Sequence, residues 1–428
     1  MSRTTDICIV GAGPAGAATA LKLSYMGIPS ILIDKATFPR DKICGDAISG
    51  KVTTLLNRLD PEILKRFNGL PIQSDIWGIR FITPNGKALD IPFPVKEMED
   101  EKAPGYISRR IDFDHFLVEE VKKRENIHFY EGVAIENYER SERGWQLSSK
   151  EGELVVDTKL LIVANGAHSA FSRKIAGLPK ENKHHAGAIR AYYKNVYGFE
   201  KSSFIELHFL KKLTPGYFWI FPLPNGHANV GLGMRSDFIS NRKFNLKKAF
   251  FDILESHPEF KERFAEAELL GTIQGYGLPL GSKTRPISGD HFMLIGDAGH
   301  LIDPLTGEGI GNGMYSGFIA AEQAEQCLTQ NDFSAEILKA YDVRVARVLG
   351  KEMKLSYQLQ QMMRFVPLVN FLSTIFVGNQ KFLNVLTRMY TDFNLREQLV
   401  KPWFWLKMWF GKEGTEIRSE KSEVRKNT

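Results

Sequence analysis

The stretch that decides the fold is Asp6-Ile-Cys-Ile-Val10, followed directly by Gly11-Ala-Gly13-Pro-Ala-Gly16. The apolar run is typical of a buried parallel strand, and the alanine and leucine residues after the glycines recur at helical spacing. A second apolar run, Ile31-Leu-Ile33, predicts another strand that ends at Asp34. This order of strand, glycine turn, helix, strand and acid predicts a Rossmann-like unit that binds a dinucleotide.

Each part of this unit has its own chemical task. Gly11 permits the tight turn, Gly13 lets the backbone approach a pyrophosphate, and Gly16 allows close helix–strand packing. The diphosphate is expected on the free N–H groups at the helix N-terminus. Asp34 lies eighteen residues after Gly16 and is expected to accept hydrogen bonds from the adenosine ribose. An acid here argues against NADP, but the motif alone does not choose between NAD and FAD, and a glycine-rich turn in another α/β protein is the alternative.

Length and composition exclude several classes of protein. The chain has 428 residues, 43% hydrophobic and 25% charged, so a disordered or low-complexity chain is excluded. The net charge of +6 is modest and both signs are interspersed, which does not suggest nucleic-acid binding. Cys8, Cys44 and Cys327 lie far apart, so a reducing, cytoplasmic location is expected. No run reaches the roughly 20 apolar residues of a spanning helix, and no room is left for a signal peptide before the first strand.

A second glycine-rich segment favours FAD. The apolar run His291-Phe-Met-Leu-Ile295 ends at Gly296-Asp297 and is followed by Pro304-Leu-Thr-Gly307-Glu308-Gly309-Ile310 and a helical pattern. The carboxylate of Asp297 can accept hydrogen bonds from ribityl hydroxyls, and the helix N-terminus can stabilise negative charge on a reduced flavin ring. The sequence has only one complete dinucleotide unit, so no separate NAD(P)H domain is expected. The external reductant, NAD(P)H or a redox protein, is expected to act at the flavin face.

These motifs carry a resemblance to a known superfamily. The glycine turn, Arg110-x-x-Phe113-Asp114-x-x-Leu117 and Gly296-Asp297 resemble recurring motifs of FAD-dependent oxidoreductases similar to p-hydroxybenzoate hydroxylase. Within that group, Pro39-Arg-Asp-Lys42-Ile-Cys44-Gly45-Asp46 is similar to a motif of the geranylgeranyl reductase family. So is Tyr217-Phe-Trp219-Ile-Phe221-Pro222 with the later Gly231-Leu-Gly233. The resemblance extends from residue 6 to about residue 330.

Two positions depart from the family pattern. Asp46 stands where the family has a second glycine after the cysteine. In Ala164-Asn165-Gly166-Ala167-His168-Ser169 an amide at Asn165 replaces the usual acid, which weakens any role of this segment in handling a nicotinamide donor.

The patterns and the resemblance imply an α/β fold, α+β overall, with three parts, in line with roughly three units at about 150 residues each. A discontinuous Rossmann-like FAD-binding domain is expected over residues 1–70, 105–180 and 275–330. An antiparallel-sheet substrate domain is expected over residues 71–104 and 181–274, with a hairpin at 77–91. A helical C-terminal region is expected over 331–412 and a disordered tail over 413–428.

The site residues follow from the motifs and the resemblance together. By resemblance, Arg110 lies near the FAD phosphate and ribose, although a plain arginine in the first turn of a helix is the alternative. The residues assigned to cofactor binding are Gly11, Gly13, Pro14, Ala15, Gly16, Asp34, Lys35, Cys44, Gly45, Arg110, Val133, Ala134, Asn165, Gly166, Gly296, Asp297, Pro304, Gly307, Gly309 and Ile310. No histidine has metal-ligand spacing with a third ligand, so no metal is expected.

Tyr217, Trp219 and Phe221 share one face of a strand, and with Pro222 they are assigned to substrate binding. The alternative is the core face of an antiparallel sheet. Cys44 is the candidate catalytic residue, because a loop cysteine near basic side chains favours a thiolate. A small buried residue without chemistry is the other interpretation of Cys44.

The resemblance implies an FAD-dependent reductase of carbon–carbon double bonds in a hydrophobic, prenyl-type substrate, with hydride transfer from the reduced flavin. The alternatives are an FAD-dependent monooxygenase or halogenase of an aromatic or polyketide substrate, and a flavoprotein that only passes electrons to a quinone or partner. The halogenase comes last, because residues 38–50 lack the stretch typical of that group.

The C-terminal region is aromatic and basic. The apolar run at 365–377 is thirteen residues long and contains Pro367, which is too short to span a membrane. With the tryptophan-rich stretch at 403–409, it predicts either peripheral contact with the cytoplasmic face of a membrane or a helical cap packed on the catalytic domains.

Overall fold

The computed structural model describes residues 1–93, 102–199 and 203–389, together with 399, 401, 403 and 404. The strands, in chain order, are β1 Ser2–Val10, β2 Ser30–Ile33, β3 Ala47–Ile48, β4 Ser74–Ile76, β5 Gly78–Ile82, β6 Ala88–Pro92, β7 Gly105–Ile107, β8 Ile127–Tyr130, β9 Ile135–Arg140, β10 Trp145–Ser149, β11 Val155–Val163, β12 His185–Lys194, β13 Phe204–His208, β14 Tyr217–Leu223, β15 His227–Arg235, β16 Glu268–Pro279, β17 Ser288–Gly289 and β18 Phe292–Leu294.

The helices complete the set of elements. They are α1 Pro14–Tyr25, α2 Gly50–Leu59, α3 Pro61–Asn68, α4 Arg110–Lys122, α5 Ala170–Lys174, α6 Ser236–Asn241, α7 Leu246–Ser256, α8 Pro258–Arg263, α9 Ile310–Gln330, α10 Ala335–Val345, α11 Lys351–Met363, α12 Val366–Phe376 and α13 Gln380–Met389.

The first sheet contains the dinucleotide unit. Six of its eight strands are hydrogen-bonded in the order β17-β18-β11-β1-β2-β8. The other two are β10, which pairs with β11, and β9, which pairs with β10. β1 pairs in parallel with both β11 and β2, and its second half, from Ile7 to Val10, is buried. Helices α1 and α9 pack so closely that a Cβ added at Gly317 would lie 2.2 Å from the Thr19 hydroxyl oxygen. This contact brings the two predicted cofactor segments together.

The second sheet has seven strands in the order β16-β12-β15-β14-β13-β5-β6. Neighbouring strands are antiparallel except for β13 and β5, which pair in parallel. β5 and β6 form the hairpin predicted over residues 77–91. β14 is buried on both faces. Phe218 and Ile220 pack with Phe250 of α7 on one face, whereas Trp219 and Phe221 belong to a separate apolar cluster on the other.

Helix α10 packs against the first sheet, whereas α13 contacts β6 of the second sheet. The Tyr341 hydroxyl of α10 is buried and donates to the Leu294 carbonyl oxygen of β18 at 2.8 Å. A π-helical stretch, Ala346–Gly350, joins α10 to α11, so the two helices run on with one irregular turn between them. Within the described ranges, no helix is both long and apolar enough to cross a membrane.

The aromatic end is described only in part. Phe365, the N-cap residue of α12, is 62% exposed, Phe371 on α12 is 51% exposed, and Trp403 is 74% exposed. Phe404 is buried in a small cluster with Phe376 and Phe382. The other residues of the tryptophan-rich stretch and the tail at 413–428 lie outside the described residues.

Candidate active site

A continuous cavity of about 1800 Å³ is lined by residues of both large sheets. One part of its wall is the glycine turn after β1 and the loop after β2, and another part is the aromatic face of β14. Of the residues predicted to bind the cofactor, all line this cavity except Gly16. Of the predicted substrate residues, Tyr217, Trp219 and Phe221 line it, whereas Pro222 does not.

The position of Pro222 corrects the sequence assignment. Side chains alternate along a strand, so Pro222 shares the face of Phe218 and Ile220, which packs toward α7. The motif therefore contributes three residues to the cavity wall, and Pro222 belongs to the sheet's other side.

The glycine turn is built for close backbone approach. Gly11 has a φ of 108°, and its N–H donates to the Ile33 carbonyl oxygen at 2.7 Å. A Cβ at Gly16 would lie 1.8 Å from the Gly11 carbonyl oxygen, so this position packs the helix against the turn. Gly13 is the N-cap of α1, and no side chain caps the first N–H groups of this helix. Such a helix N-terminus fits a diphosphate.

Asp34 holds the turn in place through its carboxylate. One oxygen accepts from the Ala12 N–H at 2.6 Å and the other from the Ala36 N–H at 2.8 Å. Two oxygens offer about four acceptor positions, so these bonds leave capacity for a ribose hydroxyl.

Arg110 lies in the cavity wall and is 3% exposed. Its guanidinium donates twice to the fully buried Asp114, both at 2.7 Å, and Arg40 reaches the same carboxylate at 2.5 Å. Arg110 also interacts with the Cys44 side chain. Burial acts to lower the pKa of Arg110, but the attraction of Asp114 and Cys44 outweighs it and raises the pKa above its ordinary value. Arg110 therefore places a fixed positive charge beside Cys44.

Asn229 of β15 ties the Cys44 loop to the aromatic strand. Its amide nitrogen donates to the Cys44 carbonyl oxygen and to the Asp46 carboxylate, each at 2.8 Å. Its amide oxygen accepts from the Trp219 indole N–H at 2.9 Å. Sequence reasoning missed Asn229, although a lone polar residue in an apolar strand was an available signal.

The aromatic face is fixed to the second cofactor segment. The rings of Tyr217, Trp219 and Phe221 follow one another with centroids 6.2 Å apart. The Tyr217 hydroxyl donates to the Thr306 carbonyl oxygen at 2.5 Å, beside the Gly307 turn that precedes α9. Burial raises the pKa of Tyr217, so it stays a neutral donor. The apolar wall and the glycine-rich turn thus face one space.

Charged and aromatic groups surround Asp297 at that turn. The Lys42 ammonium lies 3.7 Å from an Asp297 oxygen and 4.4 Å from the centre of the Tyr276 ring. A Cβ at Gly309 would lie 3.3 Å from an Asp297 carboxylate oxygen. Glycine therefore leaves a space beside this carboxylate that a larger residue would fill. The N-termini of α1 and α9, each capped by a glycine, border the same cavity, and these two sets of N–H donors fit FAD.

Comparison with known proteins agrees with this geometry. The FAD binding domain family model matches residues 4–351. The digeranylgeranylglycerophospholipid reductase of Thermoplasma acidophilum is 28% identical over 343 residues, 79% of this chain and 82% of that protein. The menaquinone reductase of Mycobacterium tuberculosis is 28% identical over 398 residues, 91% of each chain.

A solved structure shows the same fold. The crystal structure of a geranylgeranyl bacteriochlorophyll reductase-like protein from Thermoplasma acidophilum has a TM-score of 0.77 at 23% identity, covering 93% of this chain and 99% of that one. The predicted fold class, the FAD cofactor and the resemblance to geranylgeranyl reductases are confirmed. Because the family model spans most of its length, the chain belongs to the FAD binding domain family.

Proposed function

We propose that this protein is an FAD-dependent reductase of carbon–carbon double bonds in the prenyl chain of a lipid-like substrate. The observation that supports it most is the aromatic wall of Tyr217, Trp219 and Phe221, which opens on the same cavity as the cofactor segments. Ile79, Phe81 and other apolar side chains extend this wall. A prenyl chain is long and apolar, and it gains free energy from leaving water for such a surface.

The relatives support this substrate class. One is named for a digeranylgeranyl glycerophospholipid and another for menaquinone. These substrates differ in the head group and share a prenyl chain. We therefore assign the aromatic wall to the chain rather than to a particular head group.

The proposed cofactor position follows the cavity from end to end. The diphosphate lies on the turn from Gly11 to Gly16, and the adenosine ribose lies at Asp34 and Lys35, with Val133 and Ala134 nearby. Arg110, Asn165 and Gly166 line the same cavity. We assign the ribityl chain to Gly296 and Asp297, and the ring to residues 304–310. In this proposal residues 1–70, 105–180 and 275–330 bind FAD, and residues 71–104 and 181–274 bind the substrate. When bound and reduced, FAD supplies the hydride.

The protein's own residues orient the substrate and exclude water. The buried side chains of Trp219 and Phe221 replace water around the reacting double bond. Cys44, held by Arg110 and Asn229, is the proposed reactive side chain at the boundary between the cofactor segments and the aromatic wall. Cys44→Ala should lower the turnover measured per bound FAD.

The function is tested by anaerobic reduction of the purified holoprotein with dithionite. Digeranylgeranylglycerophospholipid or menaquinone is then added, and flavin reoxidation is followed together with mass spectrometry of the lipid. We expect reoxidation with a gain of two hydrogens per double bond. Reoxidation only by oxygen with a hydroxylated product would show a monooxygenase, and reoxidation by the quinone ring alone would show electron transfer.

Cofactor placement has its own test. Asp297→Ala should lower the FAD content of the purified protein, because the carboxylate no longer meets the ribityl hydroxyls. Asp290→Ala, an exposed acid paired with Arg140, is the matched control and should keep full FAD content. Equal occupancy in the two variants would refute this placement.

We also propose that the reductant acts directly at the ring, since the sequence has one complete dinucleotide unit. Stopped-flow reduction with NADH, NADPH and a reduced iron–sulfur protein separates the candidates. A donor that reduces the bound flavin faster than free flavin identifies the class. No acceleration by any donor would contradict the idea.

Peripheral membrane contact is the final part of the proposal, with the chain at the cytoplasmic face. Phe365, Phe371 and Trp403 expose large apolar surfaces in the C-terminal region. Changing all three to Ser should reduce flotation of the full chain with liposomes of anionic lipid. Val343→Ser removes an equally exposed apolar side chain from α10 and is the control. Equal flotation of the two variants would contradict membrane contact through these three side chains.

A further inference from the structure

Four exposed cations from three parts of the chain form one surface of the molecule. Lys211 and Lys212 lie in the loop between β13 and β14, Arg242 follows α6, and Arg364 follows α11. The side chains of all four are exposed. We call this group the basic surface.

Measured contacts join the residues of the basic surface. The Arg242 guanidinium donates to the Lys212 carbonyl oxygen at 3.5 Å and to the Thr214 carbonyl oxygen at 3.4 Å. Arg242 and Arg364 both lie over the Phe238 ring, with their guanidinium carbons 4.8 Å and 5.1 Å from its centre. Three separate segments therefore present their charges side by side.

The protein itself does not neutralise these charges. Among the residues that the structure describes, none of the four cations forms an ion pair with a carboxylate, whereas Lys248 on α7 is paired with Asp252 at 3.0 Å. Lys211, Lys212 and Arg242 border a second cavity of about 640 Å³, and the described residues that line it include no Asp or Glu. Like charges at short range repel one another, so the basic surface favours a partner rich in anions.

An exposed aromatic residue borders the basic surface. Phe365 follows Arg364 directly and is 62% exposed. Cations beside an exposed aromatic ring suit the interface of an anionic bilayer, because the charges meet the head groups while the ring enters the boundary with the acyl chains. A soluble anion offers no apolar layer to such a ring, so this pairing favours a membrane.

The basic surface also lies close to the aromatic wall of the main cavity. Gly216 lines that cavity and continues the loop that carries the two lysines. Met363, the last residue of α11, packs against the cluster that contains Trp219 and Phe221, and Arg364 follows it. A bilayer held at the basic surface therefore lies beside the place proposed for the prenyl chain.

We propose that the basic surface is the docking site for the anionic head groups of a membrane, with Phe365 inserted beside them. This inference rests on the proposed membrane contact and adds an electrostatic contact to the apolar one. It also orients the protein, since the bound bilayer faces the aromatic end of the cavity.

The test is flotation of the full-length holoprotein with vesicles of phosphatidylcholine, alone or mixed with phosphatidylglycerol. The central variant combines Lys211→Gln, Lys212→Gln, Arg242→Gln and Arg364→Gln. Each cation near an anionic surface strengthens binding about fivefold, so this variant should bind the mixed vesicles about 100-fold more weakly or worse. Wild-type binding should also weaken when NaCl is raised from about 0.1 M to about 1 M, because the screening length falls from about 10 Å to about 3 Å.

Two further variants separate the basic surface from net charge and from stability. The matched control removes the same number of exposed cations from α5 and the segment before β12, through Arg173→Gln, Lys174→Gln, Lys180→Gln and Lys183→Gln. It should bind as the wild type does. Lys211→Gln with Lys212→Gln leaves the contacts of Arg242 in place and should weaken binding about 25-fold. FAD content and melting temperature are measured for every variant.

Loss of binding in the central and double variants, with the control still bound, supports the docking site. If the central variant loses FAD or stability, the double variant decides. Equal loss in the control, binding that does not respond to salt, or no wild-type binding to the mixed vesicles overturns the docking site.

These results stay separate from the other proposals. If the variant with Phe365, Phe371 and Trp403 changed to Ser keeps its binding while the central variant loses it, the apolar contact is refuted and the basic surface stands. Binding is measured without turnover, so failure of the wild type to reduce a prenyl lipid refutes the reductase function alone.

Discussion

The amide nitrogen of Asn229 lies 2.8 Å from the carbonyl oxygen of Cys44, a residue 185 positions earlier in the chain. This bond joins the loop after the dinucleotide unit to the aromatic sheet. The same amide group binds Asp46 and Trp219, so one buried side chain sets the positions of three cavity residues.

Asn229→Leu should destabilise the protein by about 2 to 3 kcal/mol, because the Trp219 indole and the Cys44 carbonyl lose buried partners. Urea unfolding followed by fluorescence measures the change. Asn137→Ala, which removes an exposed amide bonded to Ser148 at 3.3 Å, should change stability by less than about 0.5 kcal/mol. A loss of the same size in both variants would contradict this role for Asn229.

Gly16→Ala should lower both FAD content and stability. The new Cβ would lie 1.8 Å from the Gly11 carbonyl oxygen, so the helix must move away from the turn. Overpacking of this kind costs about 1 to 3 kcal/mol. Gly350→Ala is the control, since its nearest contact would be an ordinary 3.8 Å to Ala346. Full FAD content in Gly16→Ala would show that the turn tolerates the displacement.

Asp114→Asn should destabilise the fold by about 3 to 5 kcal/mol, because it leaves the buried Arg110 without its charged partner. Asp112→Asn breaks the more exposed pair with Arg109 on the same helix and should cost less than about 1 kcal/mol. Thermal and urea unfolding of the two variants give the comparison. Similar losses would mean that Arg110 is satisfied by other groups.

The stability of the wild type relative to Asp46→Asn should fall as the pH rises. Folding raises the pKa of Asp46 from 3.8 to about 6, so the folded state binds the proton more tightly than the unfolded state. The stabilisation is complete below about pH 4 and is lost as the pH passes 6, with a total on the order of 3 kcal/mol. Unfolding free energies of both proteins across this window test it, without substrate. Parallel curves would contradict the raised pKa.

The sequence by itself determined the dinucleotide unit, the second cofactor segment and the aromatic strand. Each is a local pattern in which the spacing of a few neighbouring residues dictates the backbone. The glycines of the first turn and the alternation of Tyr217, Trp219 and Phe221 are such patterns. Alternation also shows why Pro222 was misplaced: a motif records which residues occur together and not which face each occupies.

Only the tertiary structure decided the polar network around Asp46. Its partners Tyr192 and Asn229 lie 146 and 183 positions away, on β12 and β15. In the sequence, Asp46 is no more than a departure from a glycine. Its burial, its free oxygen and its raised pKa arise when two sheets enclose the Cys44 loop. Desolvation depends on everything packed around a group, so no local pattern could predict it.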